Sequence, residues 1–142
     1  MNLVVDASVA VKWLFEEPDS DRAEALLARA GASDRLKLVA PEILAAEIAN
    51  ALWKRMRRGD IDRQKTLETS EHFQEICPLL LPIEDLAQRA LELAIDSRHP
   101  AYDCFYVALA EELPAGLITA DERLYRAFAP VFPQLRLLRD FS

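Results

Sequence analysis

Four carboxylates stand out by where they fall in the chain. Asp6 follows the short apolar run Leu3-Val4-Val5, and Asp121 follows Leu117-Ile118-Thr119-Ala120, so each would sit at the carboxyl end of a β-strand. Glu47 lies in Ile43-Leu44-Ala45-Ala46-Glu47-Ile48-Ala49-Asn50-Ala51-Leu52, and at about 100° per residue it projects beside the stripe of Leu44, Ile48 and Leu52. A solvated glutamate belongs on the opposite face. Asp103 has only apolar or aromatic company in Tyr102-Asp103-Cys104-Phe105-Tyr106-Val107-Ala108-Leu109-Ala110. Desolvating an isolated carboxylate costs more than one helix returns, so each acid meets a basic partner or several share a cation. Taken singly, Asp6 reads equally as a helix N-cap, Asp121 reads more readily as a cap than as a ligand, and Glu47 and Asp103 read equally as edge-of-core partners of Arg or Lys. Taken together, four acids at strand ends and on core-facing stripes point to a site for Mg²⁺ or Mn²⁺, which want oxygen ligands; Mg²⁺ also keeps several waters.

The elements that must carry these acids follow from the hydrophobic rhythm. Short β-type runs at residues 3–5, 36–39, 79–81, 117–119 and 135–138 alternate with longer helical patterns, which is the signature of a parallel α/β fold. Ser20 can cap a helix running to Gly31. Pro41 suits the first turn of a helix over 42–58 that Gly59 ends. Residues 61–76, 83–97 and 101–113 read as further helices, and Asp121 starts a short one. No linker, repeat or composition break divides the 142 residues, so a single domain over 1–142 is expected. In an open parallel sheet the ligand site lies beyond the carboxyl ends of the strands, where strand order reverses, and Asp6 and Asp121 are delivered to such ends.

Composition narrows the function classes. With 51% hydrophobic and 29% charged residues the chain is an ordinary globular one, and a net charge of −7 argues against binding nucleic acid by a coat of positive surface. The longest apolar runs fall far short of the roughly 20 residues of a membrane span, and no signal-like N-terminus is present, so a cytoplasmic protein is expected. Cys77 and Cys104 form no Cys-x-x-Cys and read as buried thiols.

In order along the chain, Val4-Val5-Asp6-Ala7-Ser8, Glu47-Ile48-Ala49-Asn50-Ala51-Leu52, Tyr102-Asp103 with Val107-Ala108-Leu109-Ala110, and Thr119-Ala120-Asp121-Glu122-Arg123-Leu124 resemble the four motifs of the PIN-domain ribonucleases, and among them the VapC-type toxins of toxin–antitoxin pairs. The resemblance implies a central parallel sheet of strand order 3-2-1-4-5 and a cluster of Asp6, Glu47, Asp103 and Asp121 around Mg²⁺ or Mn²⁺. It implies hydrolysis of RNA, and it suggests Ser8, Asn50 and Thr119 as polar neighbours of the acids. Cys104 and Pro114 stand where similar sequences often carry a small residue and a glycine, and neither falls on an inferred ligand. The chemistry agrees with the residues: cleaving a phosphodiester needs an activated water, shielding of phosphate charge and a stabilised leaving oxygen, all supplied by carboxylate-held divalent ions. Asp6, Asp103 and Asp121 are then ligands, and Glu47 a ligand or the orienter of the attacking water.

For substrate contact, Lys54-Arg55-Met56-Arg57-Arg58 is the local basic run, read equally as phosphate-binding or as a solvated helix end. Lys12 is a second candidate near the site. His72 and His99 have no metal-spaced partner, which argues against a histidine-dependent ribonuclease, and Trp13, Phe15, Trp53, Phe73 and Tyr106 read as core or dimer-contact aromatics. The toxin resemblance implies an antitoxin that blocks the acidic groove with an inserted Arg or Lys, and a two-fold dimer. Two competing readings are a catalytically inactive RNA- or protein-binding module on the same fold, and a haloacid-dehalogenase-type phosphatase. The phosphatase requires a second aspartate two residues after the first, where this chain has Ser8.

Overall fold

Five apolar runs assemble into one parallel sheet in the computed structural model, which describes residues 1–141. The strands are β1 (Asn2–Val5), β2 (Lys37–Pro41), β3 (Leu79–Leu81), β4 (Gly116–Thr119) and β5 (Leu135–Leu137), in the order β3-β2-β1-β4-β5. This is the 3-2-1-4-5 order that the resemblance implies. Val4 pairs with Val39 on one side of β1, and Val5 pairs with Ile118 on the other. Val4, Val5, Leu117 and Ile118 are completely buried, as continuous apolar strands covered on both faces must be.

The helices are α1 (Ala7–Ala10), α2 (Ser20–Gly31), α3 (Ile43–Arg57), α4 (Arg63–Ile76), α5 (Ala87–Ser97), α6 (Ala101–Glu112) and α7 (Glu122–Phe128). α6 lies against β1, β2 and β4 with α5 along its side. Its run from Tyr106 to Ala110 is buried on every face, which explains a segment apolar all round its axis. After β3 the chain passes back over the sheet through α5 and α6 to place β4 on the far side of β1. That reversal sets the ends of β1 and β4 side by side.

Several boundaries differ from the sequence expectation for local reasons. Pro41 closes β2 instead of opening a helix, and α3 starts two residues later. Ser20 is the first residue of α2 and not its cap: its hydroxyl donates to the Phe15 carbonyl and accepts from the Glu17 amide, while Asp19 takes the cap position at φ 68°. Asp62 caps α4 by accepting from the Lys65 amide at 2.7 Å, which moves the start from 61 to 63. A 3₁₀ turn at Glu84–Leu86 precedes α5. Gly59, at φ 86°, ends α3 as expected, donating to the Met56 carbonyl.

Candidate active site

The carboxyl ends of β1 and β4 are stitched together by side chains. Asp6, 4% exposed, accepts from the Ser8 hydroxyl at 2.6 Å and the Val9 amide at 3.2 Å on Oδ1, and from the Thr119 hydroxyl on Oδ2. Ser8 Oγ in turn accepts from the Ala120 amide at 2.8 Å, and Thr119 Oγ1 from the Asp121 amide at 3.0 Å. Asp6 thus caps α1 and anchors the strand junction at once, and Ser8 and Thr119 are its polar neighbours. Burial pushes the Asp6 carboxyl up to about 6 despite its three donors, and the charge of Asp103 adds to the shift.

α3 and α6 bring two more acids alongside. Glu47 is half-buried and accepts from the Tyr106 hydroxyl at 2.5 Å; burial and the charge of Asp103 raise its pKa, and the Tyr106 hydrogen bond opposes them. Asp103 is half-buried, and its Oδ2 lies 2.8 Å from Nε2 of His99. Asp6, Glu47 and Asp103, from three distant segments, therefore share one electrostatic field, and Tyr106 feels all three charges.

Asp121 joins through its backbone. Its carboxylate caps α7, accepting from the Arg123 amide at 2.8 Å and the Leu124 amide at 3.4 Å. Among the described residues no three His, Cys, Asp or Glu side chains are gathered tightly enough to hold a metal ion between them. Each of the four acids is instead held by its own hydrogen-bond partner, as mutually repelling carboxylates require. The donor set nonetheless fits a hard divalent ion. It is all oxygen, it includes a carboxyl that burial holds at about 6, and Mg²⁺ retains most of its waters while taking only one or two carboxylates directly. Asp6 and Asp103 would hold such an ion, with Glu47 and Asp121 reaching it directly or through water.

The basic candidates separate. Lys12 and Arg55 converge on Glu17, Lys12 Nζ at 3.3 Å from Oε1 and Arg55 Nη2 bonded to Oε2, with the Arg55 guanidinium 3.9 Å over the Phe15 ring. Lys12 also lines a small cavity beside Ala120, close to the strand ends. Arg57 stacks over Trp53, Arg58 pairs with Asp60 at 2.9 Å around Gly59, and Lys54 and Asn50 are exposed on α3. A broad groove of about 670 Å³ lies at the amino ends of β2 and β3 and includes none of the four acids.

Sequence reasoning did not reach two residues of this site. Tyr106 reads as a core aromatic and is one, at 1% exposure, yet its hydroxyl serves Glu47. His99 sits before α6, beyond a left-handed turn at Arg98, so helical periodicity gives no reason to pair it with Asp103. The i,i+4 spacing is the one signal that could have done so. Cys104 is a buried thiol pushed up to about 11 by burial and then by Asp103, and it donates to the Pro100 carbonyl at 3.4 Å.

Tyr106→Phe is expected to keep the packing and remove one charge-assisted hydrogen bond, costing about 1–2 kcal/mol in urea unfolding. Because that bond holds the Glu47 pKa down, the Glu47 carboxyl should titrate at higher pH in the variant by ¹³C NMR; an unchanged midpoint would show that the hydroxyl does not tune it.

A family model described as "PIN domain" matches residues 3–129. The chain belongs to the PIN domain family. Ribonuclease VapC3 of Pyrobaculum aerophilum is 33% identical over 130 residues, covering 90% of this chain and 95% of its own. In structure, PAE2754 from Pyrobaculum aerophilum superposes with a TM-score of 0.71 at 20% identity, over 98% of this chain and 85% of that one. VapBC2 from Rickettsia felis, crystallised bound to a DNA fragment from their promoter, gives 0.63 at 16% identity, over 96% and 97%. As a PIN domain the chain has the fold implied by its four motifs. No helix among the described residues is long and apolar enough to cross a membrane.

Proposed function

We propose that this PIN domain is a VapC-type toxin: an endoribonuclease, dependent on Mg²⁺ or Mn²⁺, that hydrolyses RNA phosphodiesters to 5′-phosphate and 3′-hydroxyl ends and is held in check by a cognate antitoxin. What supports the reading is Asp6 anchored where β1 and β4 end, at the point of strand-order reversal, with the charge of Asp103 acting on both Asp6 and Glu47. The name and 33% identity of Ribonuclease VapC3, aligned over nearly its whole length, support the substrate class. The shared fold of VapBC2 supports a protein partner.

The residues divide the work. Ser8, Thr119 and the Val9 amide fix both oxygens of Asp6, so the carboxylate has no freedom to turn away from substrate. Tyr106 engages Oε1 of Glu47 and leaves Oε2 to accept a proton from the attacking water. A bound divalent ion supplies charge neutralisation and lowers the pKa of water. Without it the acids repel phosphate, so RNA binding and cleavage should both need it. An antitoxin Arg or Lys placed among the acids would satisfy the same field and exclude the ion. Self-association as a two-fold dimer belongs to the same reading, and light scattering at tens of micromolar, roughly the range where weak interfaces populate, checks it.

The phosphatase alternative loses ground on geometry. Ser8, which stands where that chemistry needs a second aspartate, is committed to Asp6 and to the Ala120 amide.

The test is to incubate the purified protein with RNA and Mg²⁺, then repeat with the product of the adjacent gene co-purified. Internal cleavage that the partner suppresses is expected. Metal binding without cleavage of any RNA would favour the inactive binding module, and phosphate release from a small phosphomonoester without RNA cleavage would revive the phosphatase.

A further inference from the structure

We propose that His99 is a positioning residue for Asp103: its Nε2–H holds Oδ2 of the carboxylate so that Oδ1 is the oxygen offered to the site. The inference rests on the nuclease reading above and adds a residue that none of the four motifs contains.

The geometry is specific. Nε2 and Oδ2 are 2.8 Å apart, and the His99 side chain is 6% exposed against 31% for Asp103, so the contact is sheltered on the histidine side. An ionised carboxylate has no proton to give, so the ring nitrogen is the donor. One contact holds the main chain at His99 and another packs the ring. The backbone amide of His99 donates to the Ala94 carbonyl at 3.2 Å just after the left-handed turn at Arg98, and the ring packs edge-on against Phe128, centroids 5.6 Å apart at 76°. Phe128 is completely buried and closes the helix that Asp121 opens, so the element carrying the fourth acid also braces the histidine.

A bond to one oxygen of Asp103 from a buried ring packed against Phe128 restricts the carboxylate's rotation. This matters because Asp103 is the acid whose charge acts on both Asp6 and Glu47. Left alone, like charges would turn it outward. A surface pair would not be braced in this way, and His72, exposed and 3.8 Å from Glu75 on α4, is the contrast within the same chain. Hydrogen-bond partners of ligating groups set their orientation and change metal affinity by about 10–100-fold when removed.

The experiment compares wild type, His99→Leu and His99→Gln in the full chain. His99→Leu keeps bulk without a donor, and His99→Gln restores a side-chain N–H at similar reach. Mn²⁺ affinity is read by the EPR signal of free ion, together with kcat and KM on an RNA oligonucleotide at saturating Mn²⁺ and the melting temperature. His99→Leu should weaken Mn²⁺ binding about 10–100-fold and lower kcat with KM for RNA nearly unchanged, and His99→Gln should recover most of both. A His99→Leu protein that melts lower but binds Mn²⁺ as wild type does, or equal losses in the two variants, overturns the inference and leaves the nuclease reading standing. A wild type that binds no Mn²⁺ and cuts no RNA overturns both. Should His99→Leu fail to fold, ¹⁵N NMR of the wild-type imidazole decides: a protonated Nε2 perturbed by Mg²⁺ is expected, and a ring protonated on Nδ1 alone overturns the proposal.

Discussion

Asp6→Asn is expected to lower RNA cleavage on the order of a thousand-fold or more, about 4 kcal/mol of transition-state stabilisation, while making the metal-free protein more stable at neutral pH. The activity loss follows from removing the charge of the most deeply buried of the four acids without changing its size. The stability gain follows from linkage. The folded protein holds the Asp6 carboxyl at about 6, against an ordinary value of 3.8, chiefly because burial disfavours the ionised form. A carboxyl raised on folding contributes stability that is fully present below its unfolded pKa and is lost as pH rises through the folded one, so the loss here runs from about pH 4 to just above pH 6. At about 1.4 kcal/mol per unit the swing is roughly 3 kcal/mol, several degrees of melting temperature for a chain of this size. Asparagine has one acceptor oxygen where Asp6 serves Ser8, Val9 and Thr119, so the variant recovers part of that swing and not all of it. Melting both proteins in EDTA across pH 4–8 should show the variant gaining on wild type as pH rises. A pH-independent gap would mean that Asp6 does not titrate as argued, and full RNase activity in Asp6→Asn or Asp103→Asn would remove either acid from the chemistry.

Chelation should abolish cleavage entirely, and the ends left on the RNA should reveal which nucleophile attacked. Nucleases that work without metal commonly let the RNA 2′-hydroxyl attack and leave a cyclic phosphate, relying on histidine or lysine to carry protons. In this chain His72 is exposed on α4, His99 is committed to Asp103, and Lys12 to Glu17. External water acting in line expels the 3′-oxygen and gives a 5′-phosphate and a 3′-hydroxyl. EDTA should stop the reaction, Mg²⁺ or Mn²⁺ should restore it, and Ca²⁺, larger and looser in its coordination, should not. A 2′,3′-cyclic phosphate terminus, or cleavage that survives chelation, would defeat the proposed mechanism.

Much of this architecture is written locally. Leu3-Val4-Val5 and Leu117-Ile118-Thr119 are strands because short apolar runs bounded by polar residues bury best in a covered parallel sheet, and the acids that follow them are thereby placed at strand ends. Glu47 and Asp103 are conspicuous because charge sits beside apolar stripes, a conflict visible without coordinates. The strand order was implied only by the family resemblance that the four motifs carry, and the sheet has that order. What the linear chain could not express is pairing across distance. The single hydroxyls of Ser8 and Thr119 each bond to both strand ends, Tyr106 reaches from α6 to a glutamate on α3, and Lys12 and Arg55 spend their charges on Glu17. His99 meets Asp103 across the start of α6, just after a left-handed turn at Arg98 and with Phe128 against the ring. Periodicity reports which face of an element is buried, since burial is an average over many weak contacts. The partner of one polar atom is set by a few directional bonds between segments as much as 113 residues apart, and those exist only once the sheet has assembled.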